Sequence, residues 1–413
     1  MESSQQLYQE IIKHIAASAD KRITFAEYMN LALYHPEYGY YSQKATNLGK
    51  EGDFFTSVHL GADFGEMLAI QFFQMWEILG KPISFDLIEM GAGQGHLAAD
   101  ILNYIKQNYS DFFKALKYII VEKSPGLKQL QQQRLKEFEV NWCNLEDIPN
   151  NSITGCFFSN ELVDAFPVHQ FILENGELRE IYVTKEQGEI EISTPSTPRH
   201  LLQRREPPQR SGSSTPSNIF TEVTDKPSTP ELVNYLDLLE IDIDKYPSGY
   251  RSEINLAALE WLGVVENRLQ RGYVLTIDYG YTLNRYYNPR RNQGTLQCYT
   301  RHHRHNDPYI NIGQQDITAH VDFTALEKNG DRCGLQKVGL TQQGLFLMAL
   351  GLGERVATLS QSKLPLSTLL QRRDSLHQLL DPLGLGGFHV LAQAKGLKET
   401  EISQTLKGFT QPK

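Results

Sequence analysis

The chain has 413 residues, of which 40% are hydrophobic and 10% aromatic, and its formal net charge is −9. This length exceeds that of one minimal domain, and the composition can bury a substantial core, which excludes a wholly disordered chain. The acidic balance argues against a general nucleic-acid binder, because a phosphate backbone is recognised by clustered Lys and Arg side chains. A neutral or cationic substrate is compatible with it.

The cysteines are few and widely spaced: Cys143, Cys156, Cys298 and Cys333. They include no CxxC pair, so neither a disulfide framework nor a zinc ribbon is indicated. Cys298 lies near His302, His303 and His305 in the sequence, which would permit a metal site. Because no second cluster of metal ligands is evident, we favour a polar loop there and expect no metal.

The N-terminal segment lacks the basic start and apolar core of a signal peptide, and it lacks the Arg-rich character of a mitochondrial presequence. No apolar run of the sequence is long enough to span a bilayer. We therefore expect a cytoplasmic protein without stable membrane insertion.

Helical patterns dominate the first 80 residues. Residues 5–35 predict two helices, and the second begins with Thr24 as the cap and Glu27 three residues later. Pro36 ends this helix, and residues 62–79 return to helical periodicity. We predict an N-terminal helical addition over residues 1–80, on the substrate side of the protein.

From residue 84 onward, short apolar strands alternate with helices. The predicted strands cover residues 85–90, 118–121, 139–142, 155–159, 272–279, 335–340 and 388–394. The predicted helices between them cover residues 97–104, 127–138 and 252–271. This alternation predicts an α/β, Rossmann-like core with a mostly parallel sheet covered on both faces. We assign that core, with inserted substrate-binding elements, to residues 81–192 and 231–413.

Residues 193–230 break this pattern, since they hold 7 of the 18 prolines together with many Ser, Thr, Arg and Gln residues. Such a segment buries too little apolar surface to offset its ordering entropy, so we predict a disordered insertion. Its Ser-Thr-Pro repeats are candidate phosphorylation sites, and a simple spacer is the alternative.

A glycine-rich loop joins the first of these strands to its helix and reads Glu89-Met90-Gly91-Ala92-Gly93-Gln94-Gly95. Alternating glycines permit a tight turn and a close approach of a ligand to the backbone, and the following helix N-terminus offers free N–H groups to a carboxylate. Dinucleotide sites have GxGxxG spacing and lack an acid at the position of Glu89. We therefore assign Glu89, Gly91, Ala92, Gly93 and Gly95 to binding of S-adenosylmethionine.

Glu122 follows the second strand directly, where a carboxylate can accept both ribose hydroxyls of a bound adenosine. Its spacing from the glycine loop is that of one βαβ unit. The sequence Asn144-Leu145-Glu146-Asp147, after the third strand, is a candidate neighbour of the adenine ring.

Three polar residues follow the fourth strand, and ligands of open α/β sheets bind outside the carboxyl ends of the strands. They are Asn160, Glu161 and Asp164. We assign Asn160 to both cofactor and substrate contacts. Methyl transfer to a guanidinium requires carboxylates that hold the cation and accept the proton it loses, which suits Glu161 and Asp164.

Two further acidic positions allow more than one interpretation. Glu253 lies in the first turn of the predicted helix 252–271, where it either caps the helix or takes part in catalysis. Asp278 and Tyr279, at the end of the fifth strand, either form a turn or face the substrate.

With these motifs in place, the sequence resembles the MidA family, the relatives of mitochondrial complex I assembly factor 7. The segments that carry the resemblance are residues 23–29, 34–41, 52–57, 64–66, 89–95, 121–125, 160–168, 294–296 and 316–323. The resemblance implies a seven-stranded S-adenosylmethionine-dependent methyltransferase core with an N-terminal helical addition. It also implies that the loop 52–57, Gln315, Asp316 and His320 complete the cleft.

The same resemblance implies protein arginine methylation of a subunit of a respiratory NADH dehydrogenase-type complex, in support of its assembly. Without a presequence, the chain looks like a bacterial relative, and a homodimer is compatible with the family. Two alternatives share the same core: a small-molecule methyltransferase and a non-catalytic assembly factor that keeps cofactor binding. A nicotinamide-dependent oxidoreductase is the alternative outside this class.

Overall fold

The computed structural model describes residues 2–46, 56–186, 219–300, 303–359 and 365–412. Its helices are α1 (Glu2–Ala17), α2 (Phe25–Tyr34), α3 (Tyr40–Thr46), α4 (Asp63–Ile78), α5 (His96–Asn108), α6 (Ser110–Ala115), α7 (Pro125–Arg134), α8 (Glu231–Leu238), α9 (Leu256–Arg268), α10 (Leu283–Tyr286), α11 (Phe323–Cys333), α12 (Gln343–Leu350), α13 (Leu352–Leu359), α14 (Leu366–Leu380) and α15 (Glu399–Ile402). Its strands are β1 (Arg22–Thr24), β2 (Phe85–Met90), β3 (Leu116–Val121), β4 (Val140–Cys143), β5 (Ile153–Asn160), β6 (His169–Glu174), β7 (Glu177–Lys185), β8 (Phe220–Asp225), β9 (Arg251–Ile254), β10 (Leu269–Asp278), β11 (Gly280–Tyr281), β12 (Gln297–Thr300), β13 (His303–His305), β14 (Asp316–Thr318), β15 (Val321–Asp322), β16 (Gln336–Gln342) and β17 (His389–Lys395).

The large sheet has seven strands in the order β16-β17-β10-β5-β2-β3-β4. The pairs from β10 to β4 are parallel, whereas β17 runs antiparallel to both β10 and β16. Each of the seven strands predicted from the sequence lies in this sheet. The predicted Rossmann-like α/β architecture with a seven-stranded, mostly parallel sheet is confirmed.

Side-chain alternation along the strands builds a core on each face of the large sheet. Leu87 and Phe158 pack with α4 and α5 on one face, and their chain neighbours Ile88 and Phe157 pack with α9 and α11 on the other. All four side chains are almost completely buried. Helices on both faces leave the strand ends as the open edge at which ligands can bind.

A second, antiparallel sheet of five strands has the order β1-β7-β6-β9, with β8 also paired to β7. The sequence analysis did not predict it. Its central hairpin turns at Asn175 and Gly176, both of which have positive φ values (53° and 80°). An Asn-Gly pair between two runs rich in β-branched residues is a strong hairpin signal that would have revealed this sheet.

Strand β8 corrects part of the predicted disordered insertion. Residues 219–230 of that segment are described, and β8 pairs with β7 over six residues. Phe220 is buried, and its ring lies 5.8 Å from that of Tyr8 and 5.9 Å from that of Tyr28. This burial and the strand pairing offset the entropy of ordering, so the prediction is wrong for these residues. Residues 193–218 lie outside the described residues.

The predicted helix 252–271 is also corrected. Its first residues form strand β9, because they pair with β6, and the helix α9 begins only at Leu256. Asn255 caps it by accepting a hydrogen bond from the Ala258 N–H at 2.9 Å. The last residues of the predicted helix belong to β10.

The N-terminal addition is divided between the two sheets. The capping box that begins α2 is confirmed: Thr24 Oγ1 accepts from Glu27 N at 3.1 Å, and Glu27 Oε2 accepts from Thr24 N at 2.7 Å. Helices α1 and α2 pack with the second sheet, whereas α4 packs in the core of the large sheet. The last helix predicted for the addition is therefore part of the methyltransferase core.

None of the helices in the described ranges is both long and apolar enough to cross a membrane. Within those same ranges, no group of three or more His, Cys, Asp and Glu side chains could hold a metal ion. Cys298 is buried in β12 opposite His305 of β13, and His302 lies outside the described residues.

Candidate active site

The register of the large sheet brings three strand ends together. Met90 at the end of β2 is opposite Ser159 of β5, and Asn160 is opposite Ile277 of β10. The chain after each strand therefore begins at the same edge of the sheet. Two groups meet there: a cofactor side, formed by residues 89–95 and Glu122, and an acid cluster, formed by Glu161, Asp164 and Asp278.

The cofactor loop turns on glycines with positive φ values of 73° at Gly91, 52° at Gly93 and 77° at Gly95. A Cβ on Gly91 would lie 2.9 Å from Leu162 Cδ1, so the loop packs directly against the chain after β5. A Cβ on Gly93 would meet no described atom within 4 Å. Helix α5 begins after Gly95 without a side-chain cap. This open backbone surface fits a ligand with a carboxylate end.

Glu122 is fixed at the end of β3 by two donors. Its Oε1 accepts from Ser124 N at 2.8 Å, and its Oε2 accepts from Gln131 Nε2 at 3.0 Å. Burial raises the pKa of this carboxyl, and the two hydrogen bonds lower it. Each oxygen keeps lone-pair capacity for a further donor, such as a ribose hydroxyl.

Gln131 of α7 connects the two halves of the cofactor side, and the sequence analysis did not assign it. Its Nε2 also donates to the Gly93 carbonyl at 2.8 Å, and its Oε1 accepts from the Trp142 indole N–H at 2.9 Å. The side chain is fully buried. It is a positioning residue that holds Glu122 and the glycine loop in one arrangement.

Glu89 lies beneath this loop at the end of β2. It is 3% exposed, and Tyr118 OH donates to its Oε2 at 2.7 Å. Burial, assisted by the charge of Glu122, raises the pKa of Glu89 to about 7, against the opposing effect of the Tyr118 hydrogen bond. The predicted adenine neighbours form a tight turn, in which Asn144 Nδ2 donates to Asp147 Oδ2 at 2.8 Å.

Glu161 turns the chain sharply after β5. Its φ of 51° is in the left-handed region that non-glycine residues rarely occupy, and its N–H donates to the Ile277 carbonyl at 2.9 Å. Burial and then the charge of Asp164 raise the pKa of Glu161 to about 8. Hydrogen bonds from Asn160 Nδ2, at 3.1 Å, and from the Ser57 backbone oppose that rise.

Asp278, at the end of β10, holds the chain that follows Glu161. Its Oδ2 accepts from the N–H groups of Leu162 at 3.2 Å, Val163 at 2.9 Å and Asp164 at 3.3 Å. Its Oδ1 accepts from Tyr279 N at 2.8 Å. Burial and then the charge of Glu161 raise the pKa of Asp278 to about 8. The sequence left this residue open between a turn and a substrate contact, and the structure shows a buried anchor for the acid cluster.

Asp164 is the member of the acid cluster with unused hydrogen-bonding capacity. It is 6% exposed, and its Oδ1 is buried without a hydrogen-bond partner among the residues that the structure describes. Burial raises the pKa of Asp164 well above its ordinary value, and the charges of Asp278 and Asp316 add to that effect. The carbonyl of Asp164 accepts from Ala319 N at 2.9 Å, which joins the cluster to the chain after β14.

Aromatic residues from the N-terminal addition lie beside the acid cluster. Tyr34 OH donates to the Ala165 carbonyl at 2.9 Å, and Tyr41 OH donates to Asp316 Oδ1 at 3.0 Å. The two rings are stacked with their centroids 5.3 Å apart. Motif spacing within the chain could not reveal this contact, because some 130 to 275 residues separate the partners.

The residues that the family resemblance added to the cleft have separate places. Asp316 influences the acid cluster, as described for Asp164. The His320 ring lies 4.9 Å from that of Tyr279, and the Tyr279 hydroxyl is hydrogen-bonded to Thr318. Gln315 donates instead to the carbonyls of residues 307 and 308. Of the loop 52–57, only Thr56 and Ser57 are described.

Among the described residues, no positive side chain forms an ion pair with this cluster. Within the described ranges, Glu161, Asp164 and Asp278 have no Lys, Arg or His nitrogen within 4.0 Å of a carboxylate oxygen. Buried carboxyls without a counter-ion favour their neutral form and favour a cationic ligand that would pair with them.

The prediction for Glu253 is corrected in two respects, its secondary structure and its surroundings. It lies in strand β9 and not in a helix, and it is fully buried. Its Oε2 accepts from Thr295 N at 2.8 Å and from Thr295 Oγ1 at 2.9 Å, and a Cβ on Gly294 would overlap the carboxylate. The side chain is thus enclosed by residues 294–296 and lies outside the acid cluster, so it neither caps a helix nor joins the candidate catalytic carboxyls, the two roles that the sequence left open.

Comparisons with known proteins agree with this geometry. Residues 67–341 match the family "Putative S-adenosyl-L-methionine-dependent methyltransferase". The chain is 28% identical to "Protein arginine methyltransferase NDUFAF7 homolog, mitochondrial" of Drosophila melanogaster, over 92% of this chain and 84% of the relative. It is 26% identical to "Protein arginine methyltransferase NDUFAF7, mitochondrial" of Danio rerio, over 99% and 94%.

A solved structure is also similar to this chain over nearly its whole length. A superfamily member from Burkholderia thailandensis, crystallised with bound S-adenosyl-homocysteine, matches with a TM-score of 0.78 and 27% identity over 99% of this chain and 95% of that chain. The predicted cofactor and the predicted family are both confirmed. With the glycine loop, Glu122 and the seven-stranded sheet in place, the chain belongs to this family and is an S-adenosylmethionine-dependent methyltransferase.

Proposed function

We propose that this methyltransferase modifies arginine side chains of a protein, namely a subunit of a respiratory NADH dehydrogenase-type complex, and thereby assists assembly of that complex. One observation carries the proposal: the carboxyls of Glu161, Asp164 and Asp278 meet beside the glycine loop without a Lys, Arg or His partner among the described residues, and the two aspartates are buried. A guanidinium is the protein cation whose planar donors best match paired carboxylates. The names of the Drosophila melanogaster and Danio rerio relatives, both protein arginine methyltransferases, support the substrate class.

The residues of the chain have distinct tasks in this reaction. Bound S-adenosylmethionine would supply an electrophilic methyl group. Glu161 and Asp164 hold the guanidinium and orient one of its nitrogens, and Asp164 accepts the proton that this nitrogen loses, since its Oδ1 is uncommitted. Asp278 keeps the backbone of residues 162–164 in place and takes no part in the transfer itself.

Burial of these carboxyls links substrate binding to protonation. The raised pKa values of about 8 shift Glu161 and Asp278 toward their neutral forms in the free protein. A cation in the pocket lowers the pKa of a neighbouring carboxyl, so it binds with release of protons. In the free protein, the neutral forms of these carboxyls avoid repulsion between like charges, which stabilises the site before the substrate binds.

The test uses purified protein, methyl-labelled S-adenosylmethionine and the subunits of a respiratory NADH dehydrogenase-type complex. We expect the label on arginine of one subunit, located by mass spectrometry, and loss of labelling with Asp164→Asn. Label recovered only in small metabolites would establish the small-molecule alternative. Binding of S-adenosylhomocysteine without any transfer would establish the non-catalytic assembly factor.

A cytoplasmic location is part of the same proposal. The four cysteines are free thiols, and they include both buried and partly buried positions, which is compatible with a reducing compartment. Cell fractionation with an antibody against the protein should recover it with cytoplasmic markers. Light scattering of the purified protein tests the homodimer that the family resemblance permits.

A further inference from the structure

A second polar site lies next to His320, whose ring contacts Tyr279 beside the acid cluster. A cavity of about 490 Å³ is lined by residues that include Arg251, Arg291, Arg304, Thr295 and Tyr309. It is separate from the cofactor side, since none of its lining residues belongs to residues 89–95 or to Glu122.

One of its arginines is already paired. The two terminal nitrogens of Arg251 donate to the two carboxylate oxygens of Glu222 at 2.6 Å each, and Arg251 also donates to Gln170. Tyr309 OH donates to the same Glu222 carboxylate at 2.9 Å. This pair is neutral as a unit and forms the floor of the cavity. The other acid in the lining, Asp307, accepts from Tyr309 N at 2.9 Å.

Three other arginines have no such partner, and we call them the arginine cluster: Arg285, Arg291 and Arg304. None of them has a carboxylate oxygen within 4.0 Å in the part of the chain that the structure describes. Arg291 and Arg304 line the cavity, and Arg285 joins them through Tyr281. The guanidinium carbons of Arg285 and Arg291 lie 4.2 Å and 4.7 Å from the centroid of the Tyr281 ring.

The arginine cluster is connected to the active site through His320. The His320 ring stacks on Tyr281 with centroids 4.7 Å apart, and it contacts Tyr279 on its other side at 4.9 Å. The backbone N–H of His320 donates to Oγ1 of Thr295, a cavity-lining residue, at 3.2 Å. Burial and the positive charges of Arg291, Arg304 and Arg285 lower the pKa of His320 to about 4. These arginines thus act on a residue one side chain away from the acid cluster.

We propose that the arginine cluster binds an acidic segment of the substrate protein that lies next to the arginine to be methylated. This inference rests on the proposed function and names the chemistry of the partner. A surface with unpaired arginines beside unpaired carboxyls is complementary to a peptide in which an arginine is flanked by Asp or Glu. The two patches of opposite sign would also fix the direction in which the peptide lies across the site.

The experiment compares three labelled peptides of equal length, each with one arginine and with flanks of Asp and Glu, of Asn and Gln, or of Lys. We expect the acidic-flanked peptide to bind most tightly in fluorescence anisotropy and to have the highest kcat/KM. Arg304→Gln combined with Arg291→Gln should weaken its binding about tenfold, and raising the salt should do the same. Neither should change the affinity for S-adenosylhomocysteine.

The matched control is Arg332→Gln, which removes an exposed arginine at the end of α11, away from the cavity. Arg304→Glu serves as a second variant, since Arg304 is exposed and packs little, and it should shift preference toward the Lys-flanked peptide. Equal binding of all three peptides would overturn the inference, as would binding of an RNA oligonucleotide or phosphatidylserine vesicles that depends on the cluster when peptide binding does not. Peptide binding without arginine methylation would instead count against the proposed function alone.

Discussion

The cofactor side and the acid cluster lie at the same edge of one sheet, but they are assembled differently. Residues 89–95 and Glu122 come from one βαβ unit, and Gln131 of the next helix joins them through hydrogen bonds. The acid cluster takes Glu161 and Asp164 from one loop, Asp278 from a strand more than 110 residues later, and its aromatic wall from the N-terminal addition.

The two regions also differ in how strongly their neighbours stabilise the charged form of a carboxyl. Burial raises the pKa of Glu122 as well, but a backbone N–H and an amide oppose that rise by stabilising its charged form. In the acid cluster, like charges adjoin each other in a buried space, so the pKa values of Glu161 and Asp278 rise to about 8. We infer that the cofactor side is preorganised for its ligand, whereas the carboxylates of the acid cluster are stabilised in their charged form only when a cation binds.

Asp164→Asn should have the largest effect on the chemistry. Loss of the proton acceptor is expected to reduce the rate of methyl transfer about 10²- to 10⁴-fold. The melting temperature should stay close to that of the unmodified protein, because Oδ1 has no partner to lose among the described residues. Single-turnover transfer of labelled methyl measures the first effect and thermal denaturation the second. Asp237→Asn, at an exposed position of α8, is the matched control.

Asp278→Ala should affect the fold more than the chemistry. It would leave the buried N–H groups of residues 162–164 without their acceptor, at an expected cost of about 3 kcal/mol of unfolding free energy. Denaturant titration measures that loss, and Asp278→Asn, which keeps one acceptor oxygen, should lose less. An Asp278→Ala protein as stable as the unmodified one would show that this residue does not anchor the cluster.

Gly93→Ala tests the cofactor side. Its methyl group would point into space that is free of described protein atoms and that we assign to the ligand. We therefore expect a steric clash that weakens the affinity for S-adenosylhomocysteine about 10- to 100-fold, a loss of binding energy similar to the usual cost of overpacking. Gly176→Ala is the control, since Gly176 also has positive φ and an open surrounding but lies in the hairpin of the second sheet. Both variants should lose about 1 kcal/mol of stability. Calorimetric titration that finds equal affinities in the two variants would contradict our assignment of the loop.

The dependence of stability and of KM on pH should be the smallest effect, and its KM part tests the acid cluster. A carboxyl whose folded-state pKa is raised stabilises the fold fully below its unfolded pKa of about 4, and this contribution is lost as the pH rises through about 8. The free protein should therefore melt at lower temperature at pH 9 than at pH 6. KM for a cationic substrate should fall over the same interval, and Glu161→Gln should flatten that profile. A KM that rises with pH would be inconsistent with cation binding by these carboxyls.

Periodicity and motif spacing predicted the main sheet and the cofactor side. The seven strands and the Thr24 capping box, which the structure confirms, were predicted from local patterns, and so was the assignment of residues 89–95 and Glu122 to the cofactor, which stays a prediction. The second sheet was missed although Asn175-Gly176 marks its hairpin, and strand β8 was mistaken for disorder because its pairing partner is distant in sequence. Glu253 was misplaced for a similar reason, since its surroundings are set by residues 294–296.

The sequence by itself determined the class of the protein and its cofactor, because a glycine loop and a strand-end carboxylate act through local backbone geometry. Only the tertiary structure decided which acids meet and which of them remain available. Asp164 and Asp278 look alike in sequence, and the number of N–H donors that surround each one separates a reacting group from a buried anchor. The same holds for the arginines, since pairing with Glu222 neutralises Arg251 and leaves Arg291 and Arg304 free of a carboxylate in the described chain. Contacts between distant segments decide which hydrogen-bond and ion-pair partners surround each charged side chain, and a pattern within one segment cannot predict those contacts.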